Sequence, residues 1–99
     1  MTDIAITQGR WAPVSAGEYD SRTRTVCVNI AVVERVQARF GHHRDAVIGA
    51  IVAHELVHAL SARDTRQHEE EQRAREAATT AGGADLVAHI DDVLAEAWR

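Results

Sequence analysis

The chain contains no lysine, a single proline and a single cysteine. One cysteine, Cys27, excludes an internal disulfide, so oxidation stabilises nothing here and a reducing compartment is the natural setting. Within the alternating stretch Thr25-Val26-Cys27-Val28, it reads as a small buried hydrophobe rather than a nucleophile. Met1-Thr2-Asp3-Ile4 lacks the basic segment and apolar run of a secretory signal. The longest stretch of apolar residues plus glycine, Ala46 to Ala53, falls far short of the ~20 residues that span a bilayer. These absences predict a cytoplasmic protein without a membrane partner. Basic charge is also scarce: 11 arginines against 15 acidic residues leave a formal net charge of −4. Such a balance leaves no footprint for a phosphate backbone, so nucleic acid is not an expected partner.

With 45% hydrophobic and 26% charged residues, the 99-residue chain has the composition of an ordinary globular protein and the length of one domain, residues 1–99. Repeats and low-complexity tracts are absent. The alternation Asp3-Ile4-Ala5-Ile6-Thr7 predicts a first strand. Gly17-Glu18-Tyr19-Asp20 and Thr25 to Ile30, joined by Ser21-Arg22-Thr23-Arg24, predict a hairpin. Asn29 is a good N-cap for a helix over 30–40 that Gly41 ends. A second helix, about 44–62, is apolar over most of its circumference and therefore belongs at the centre of the fold. Asp64 with Gln67 matches a capping box opening a charged helix to about Thr79, and Gly82-Gly83 separates it from a final amphipathic helix. The expected architecture is α+β, a small antiparallel sheet packed on about four helices.

The central helix carries His54-Glu55-Leu56-Val57-His58. Histidines four apart differ by about 40° in azimuth and one turn in height, so two imidazoles can address one point. Neutral imidazoles at one point make a metal site, and zinc suits them best. Glu55 stands beside the pair, placed to take a proton from an activated water without being a ligand. Chance placement would give H-E-x-x-H in roughly 3% of chains of this composition, so the surroundings have to decide. Two histidines and a glutamate inside an apolar helix are costly to desolvate without a partner such as a metal, which favours the site.

A third ligand is needed, and several residues compete for the place. Asp64 follows His58 by six residues, the spacing of metzincin-like enzymes, but Ser61 replaces the turn glycine of that pattern, and Asp64 is better explained as a helix cap. His68 lies in the first turn of the third helix, where a histidine is usually solvated. The acidic run Glu69-Glu70-Glu71 is the strongest source, because a helix packed antiparallel to the motif would aim one carboxylate at the two histidines. The other two glutamates then form a solvated face near the helix N-terminus.

At these residues the chain resembles the gluzincins, zinc peptidases with H-E-x-x-H on one helix and a glutamate ligand on the next. It is most similar to the minigluzincins and the ImmA/IrrE-type peptidases, over about Gly17 to Ala78. In those families an alanine commonly follows the ligand glutamate by three positions. Ala74 meets that pattern from Glu71, so the resemblance implies His54, His58 and Glu71 as ligands of one catalytic Zn2+ in a minimal zincin-like domain. An acidic residue often follows four positions after the ligand; here Arg75 stands there, leaving Asp45, Asp91 or a backbone carbonyl to orient a histidine. The implied function is a zinc-dependent metalloendopeptidase acting on a peptide or protein substrate, with Glu55 as general base. Tyr19 and His89 are candidate oxyanion donors, and the sheet edge near Val26 to Asn29 is the expected place for an extended substrate. His42-His43 is expected to be exposed. The competing readings are a zinc-binding docking domain with little activity and a metal-free helical adaptor.

Overall fold

The computed structural model describes residues 3–60 and 67–98. Three strands, β1 (Ala5–Gly9), β2 (Gly17–Asp20) and β3 (Thr25–Asn29), precede four helices: α1 (Ile30–Phe40), α2 (Arg44–Leu60), α3 (Gln67–Gly82) and α4 (Ala84–Ala97). The fold is α+β, as the periodicities predict, with one difference in the sheet. Its strand order is β1-β3-β2; β2 pairs antiparallel with β3 from Gly17↔Val28 to Asp20↔Thr25, whereas β1 pairs parallel with β3 from Ala5↔Thr25 to Gly9↔Asn29. The sheet is therefore mixed rather than antiparallel. It also makes β3 the central strand, so Val26 to Asn29 is paired on both sides and offers no edge to a peptide. The free edges belong to β1 and β2.

The cause of the parallel pairing lies in residues 10–16, which cross the end of β3 instead of turning back beside β1. Asn29, fully buried, holds that crossing. Its Nδ2 donates to the carbonyls of Trp11 (3.2 Å), Ala12 (3.3 Å) and Ser15 (2.9 Å). Its Oδ1 accepts from the amides of Trp11 (3.3 Å) and Ala31 (3.1 Å), the latter being the predicted cap of α1. Its own amide donates to Ala16 O (2.8 Å). One side chain thus satisfies polar groups of a loop and of a helix end that would otherwise be buried without partners.

At the other end of α1, Gly41 adopts φ 74°, a left-handed conformation suited to a residue without Cβ, and its amide bonds to Gln37 O. The core joins β3, α1, α2 and α4 through Val28, Val32, Val36, Val47, Ile51 and Leu86. The first half of α2 is central, as its apolar circumference predicts, but Leu60, its last residue, is exposed. α3 lies on α2 through small side chains: Ala74 and Ala78 are buried, and Ala50 faces Gly82. A Cβ on Gly82 would lie 3.1 Å from Ala50 Cβ and 2.5 Å from Leu86 Cδ2, so this close approach requires glycine. The helix break falls at Gly83 (φ 93°), and the outer face of α3 is solvated, as its charge predicts. No helix of the described residues is long and apolar enough to cross a membrane.

Candidate metal centre and its cavity

His54 and His58 project from α2 on one face, their ring centroids 5.0 Å apart. The seam of small residues brings α3 close enough for Glu71 to meet both. His54 Nε2 lies 2.8 Å from Glu71 Oε1, and His58 Nε2 lies 3.2 Å from Glu71 Oε2. Ligating atoms of the three residues fall within 4.8 Å of one another, and this is the metal-compatible cluster among the described residues. Donors arranged tetrahedrally around zinc at about 2.0–2.1 Å are roughly 3.3 Å apart. The two Glu71 contacts are shorter than this and the whole set extends up to 4.8 Å, so the donor types could hold such an ion while the spacing is that of a hydrogen-bonded cluster.

Each imidazole is held from behind by a carboxylate on its Nδ1. Glu70 Oε1 lies 3.0 Å from His58 Nδ1, and Glu55 Oε1 lies 3.4 Å from His54 Nδ1. Such contacts choose the tautomer that presents Nε2. The His54 ring is held above its ordinary value, chiefly by the hydrogen bond to Glu55; burial opposes this, and the Glu71 contact adds to it. For Glu71, burial works upward but is outweighed by the His54 hydrogen bond and the charges of His54, His58 and Arg75, so its carboxyl is held below the ordinary value.

Glu55 is the one buried charged residue among the described residues, 8% exposed. It lines a cavity of about 280 Å³ together with His54 and Glu71. Gly17 of β2 closes in beside it: a Cβ there would sit 3.2 Å from Glu55 Cγ and 2.9 Å from Ile51 Cγ2. The loop before β2 and one face of α4 supply apolar walls, including Val14, Val87, Ile90 and Leu94. Arg75 and Asp91 also line the cavity, joined across α3 and α4 by an ion pair (Nη2 to Oδ2, 2.7 Å).

The remaining candidates are placed elsewhere. Asp64 lies outside the described residues. His68 is exposed in the first turn of α3 and is not a member of the cluster. Asp45 sits in the first turn of α2, nine residues before His54 and so about 13 Å away along the axis, too far to orient it. Asp91 holds Arg75 rather than a histidine. Tyr19 belongs to the surface of the hairpin with Glu18 and Asp20 and does not line the cavity. Nor does His89, which stacks on Phe40 at 3.9 Å and shares a 2.7 Å hydrogen bond with His42. That bond corrects the expectation for His42, which is half-buried because the turn at Gly41 directs it onto α4; only His43 is exposed.

Three contributions were not legible in the motif: Glu70 behind His58, Arg75 in the cavity wall, and Gly17 beside Glu55. The adjacency of Glu70 to Glu71 was the available signal for the first, since neighbouring residues on a helix packed across the motif can meet both nitrogens of one imidazole. Compared with protein-family models, with curated proteins and with solved structures, the chain matches none.

Proposed function

We propose that the protein is a zinc-dependent peptidase. The observation that carries the reading is the meeting of two imidazole Nε2 atoms from α2 with both oxygens of Glu71 from α3, beside a cavity that His54, Glu71 and the buried, non-ligand carboxylate of Glu55 line. Two histidines and a glutamate leave a fourth zinc position open, and a purely structural site has no use for Glu55 beside an open position.

When bound, zinc would polarise the scissile carbonyl and acidify the attacking water. Glu55 leaves its long 3.4 Å contact with His54 Nδ1 to take the proton from that water and returns it to the leaving amine, so one carboxylate serves as base and then as acid. Its burial keeps bulk water from competing for the proton. Glu70 fixes the ring of His58, and the α2–α3 seam fixes the separation of Glu71 from both histidines.

The test is elemental analysis of the purified protein, followed by a cleavage assay. Near-stoichiometric zinc is expected in the wild type, lost in His58→Ala and Glu71→Gln. Glu55→Ala should keep zinc and lose cleavage; unchanged cleavage would favour a docking domain whose apparent activity is a contaminant. A wild type that takes up no zinc on reconstitution refutes the reading.

A further inference from the structure

The cavity wall contains an arginine that the chemistry above does not use. Arg75 follows Glu71 by four residues, on the same face of α3 and about 6 Å further along it. Asp91 fixes the guanidinium by two contacts, Nη2 to Oδ2 at 2.7 Å and Nη1 to Oδ1 at 3.4 Å. Five N–H groups are available and Asp91 engages two of them, so an oriented and half-exposed guanidinium still has donors for a second carboxylate. An exposed ion pair of this kind contributes little to stability, so its position in a cavity wall calls for another role.

Arg75 stands one helical turn beyond Glu71 and lines the same cavity, so a carboxylate held by its remaining N–H groups would lie next to the histidine–glutamate cluster. Val14, Ile51, Val87, Ile90 and Leu94 make the rest of the wall largely aliphatic. The volume, about 280 Å³, is slightly below the ~300–1,000 Å³ of pockets that enclose drug-sized ligands, so it suits one or two residues rather than an extended chain.

We propose that this cavity binds the C-terminal residue of a peptide, Arg75 receiving the terminal carboxylate and the aliphatic wall receiving the side chain. The proposal rests on the peptidase reading and narrows it, replacing the expected endopeptidase with an enzyme that removes an aliphatic residue from a free C-terminus. In that reaction one water is consumed: its oxygen bonds to the penultimate carbonyl carbon, the C–N bond breaks, and the nitrogen of the last residue takes the proton carried by Glu55.

The test titrates N-acetyl-leucine and N-acetyl-leucinamide into metal-free and zinc-reconstituted protein by calorimetry. The acid should bind at least threefold tighter than the amide without metal and at least tenfold tighter with it. Arg75→Met and Arg75→Gln, each checked for an unchanged thermal transition, should abolish the preference in both forms. Equal binding of acid and amide, no binding of either, or a preference that survives both substitutions overturns the proposal. A second arm compares acetyl-Ala-Ala-Leu with its C-terminal amide as substrates of the zinc-loaded protein, and release of leucine from the free acid alone is expected. Zinc uptake with equal cleavage of both peptides defeats the carboxylate assignment while leaving the peptidase reading intact. Absence of zinc and of cleavage defeats the peptidase reading, and the metal-free titration then judges Arg75 separately.

Discussion

Replacing Gly17 by alanine inserts one methyl group where β2 meets the motif helix. The new Cβ would lie 2.9 Å from Ile51 Cγ2, 3.2 Å from the Cys27 carbonyl oxygen and 3.2 Å from Glu55 Cγ. Ile51 is 3% exposed and locked in the core, and the carbonyl belongs to the central strand, so the side chain with room to yield is Glu55, which borders the cavity. Overpacking of this kind costs about 1–3 kcal/mol, and displacement of a catalytic group by ~1 Å costs on the order of 100-fold in rate. Urea unfolding should therefore show an unfolding free energy lowered by that amount, seen as a lower midpoint at an unchanged slope. Zinc content should be retained, because the three atoms nearest the inserted methyl belong to Ile51, Cys27 and Glu55 and not to a ligand, while peptide cleavage should fall at least tenfold. Wild-type stability together with wild-type cleavage would show that β2 does not position Glu55 and would refute the reasoning.

Asn29→Ala removes a helix cap, worth about 1 kcal/mol, and strips partners from three loop carbonyls at about 1–3 kcal/mol for each group left buried, so a loss of at least ~4 kcal/mol is expected in urea unfolding. Glu70→Gln should weaken zinc binding about 10- to 100-fold in a chelator competition, because His58 loses the carboxylate on its Nδ1 while the three ligands remain. The metal-free protein should show a pH-dependent unfolding midpoint. His54 has a raised folded value, so its contribution is full below the ordinary 6.5 and fades as pH rises through that raised value. Glu71 has a lowered one, so its contribution is full above the ordinary 4.5 and fades as pH falls through the lowered value. The midpoint should peak between these limits and decline on either side of them, and a flat profile would contradict the pairing.

Features set by local periodicity were readable from the residues alone. Apolar spacing placed α1, α2 and α4, Asn29 announced its helix, and the i, i+4 geometry of His54 and His58 followed from the pitch of any α-helix. Features set by distant partners were not. The parallel pairing of β1 depends on where residues 10–16 cross, which depends in turn on an amide 14 to 18 residues away. Glu70 could be taken as solvated because nothing along the chain states which side of α3 faces His58. Arg75 registered only as a departure from an acidic pattern, since its value comes from Asp91, 16 residues later on another helix.

The grip of Asn29 on the crossing loop falls entirely on main-chain atoms: the carbonyls of Trp11, Ala12 and Ser15 and the amide of Trp11. Those bonds do not involve the side chain of Val14, an exposed contribution of the loop to the cavity wall, whereas Ala16 also packs against the core. The histidines and glutamates stand on other elements, α2 and α3. This separation makes the protein divisible for an engineer: pocket shape can be varied at position 14 with residues that keep a backbone N–H, with the chemistry of the motif and the crossing of the chain held constant.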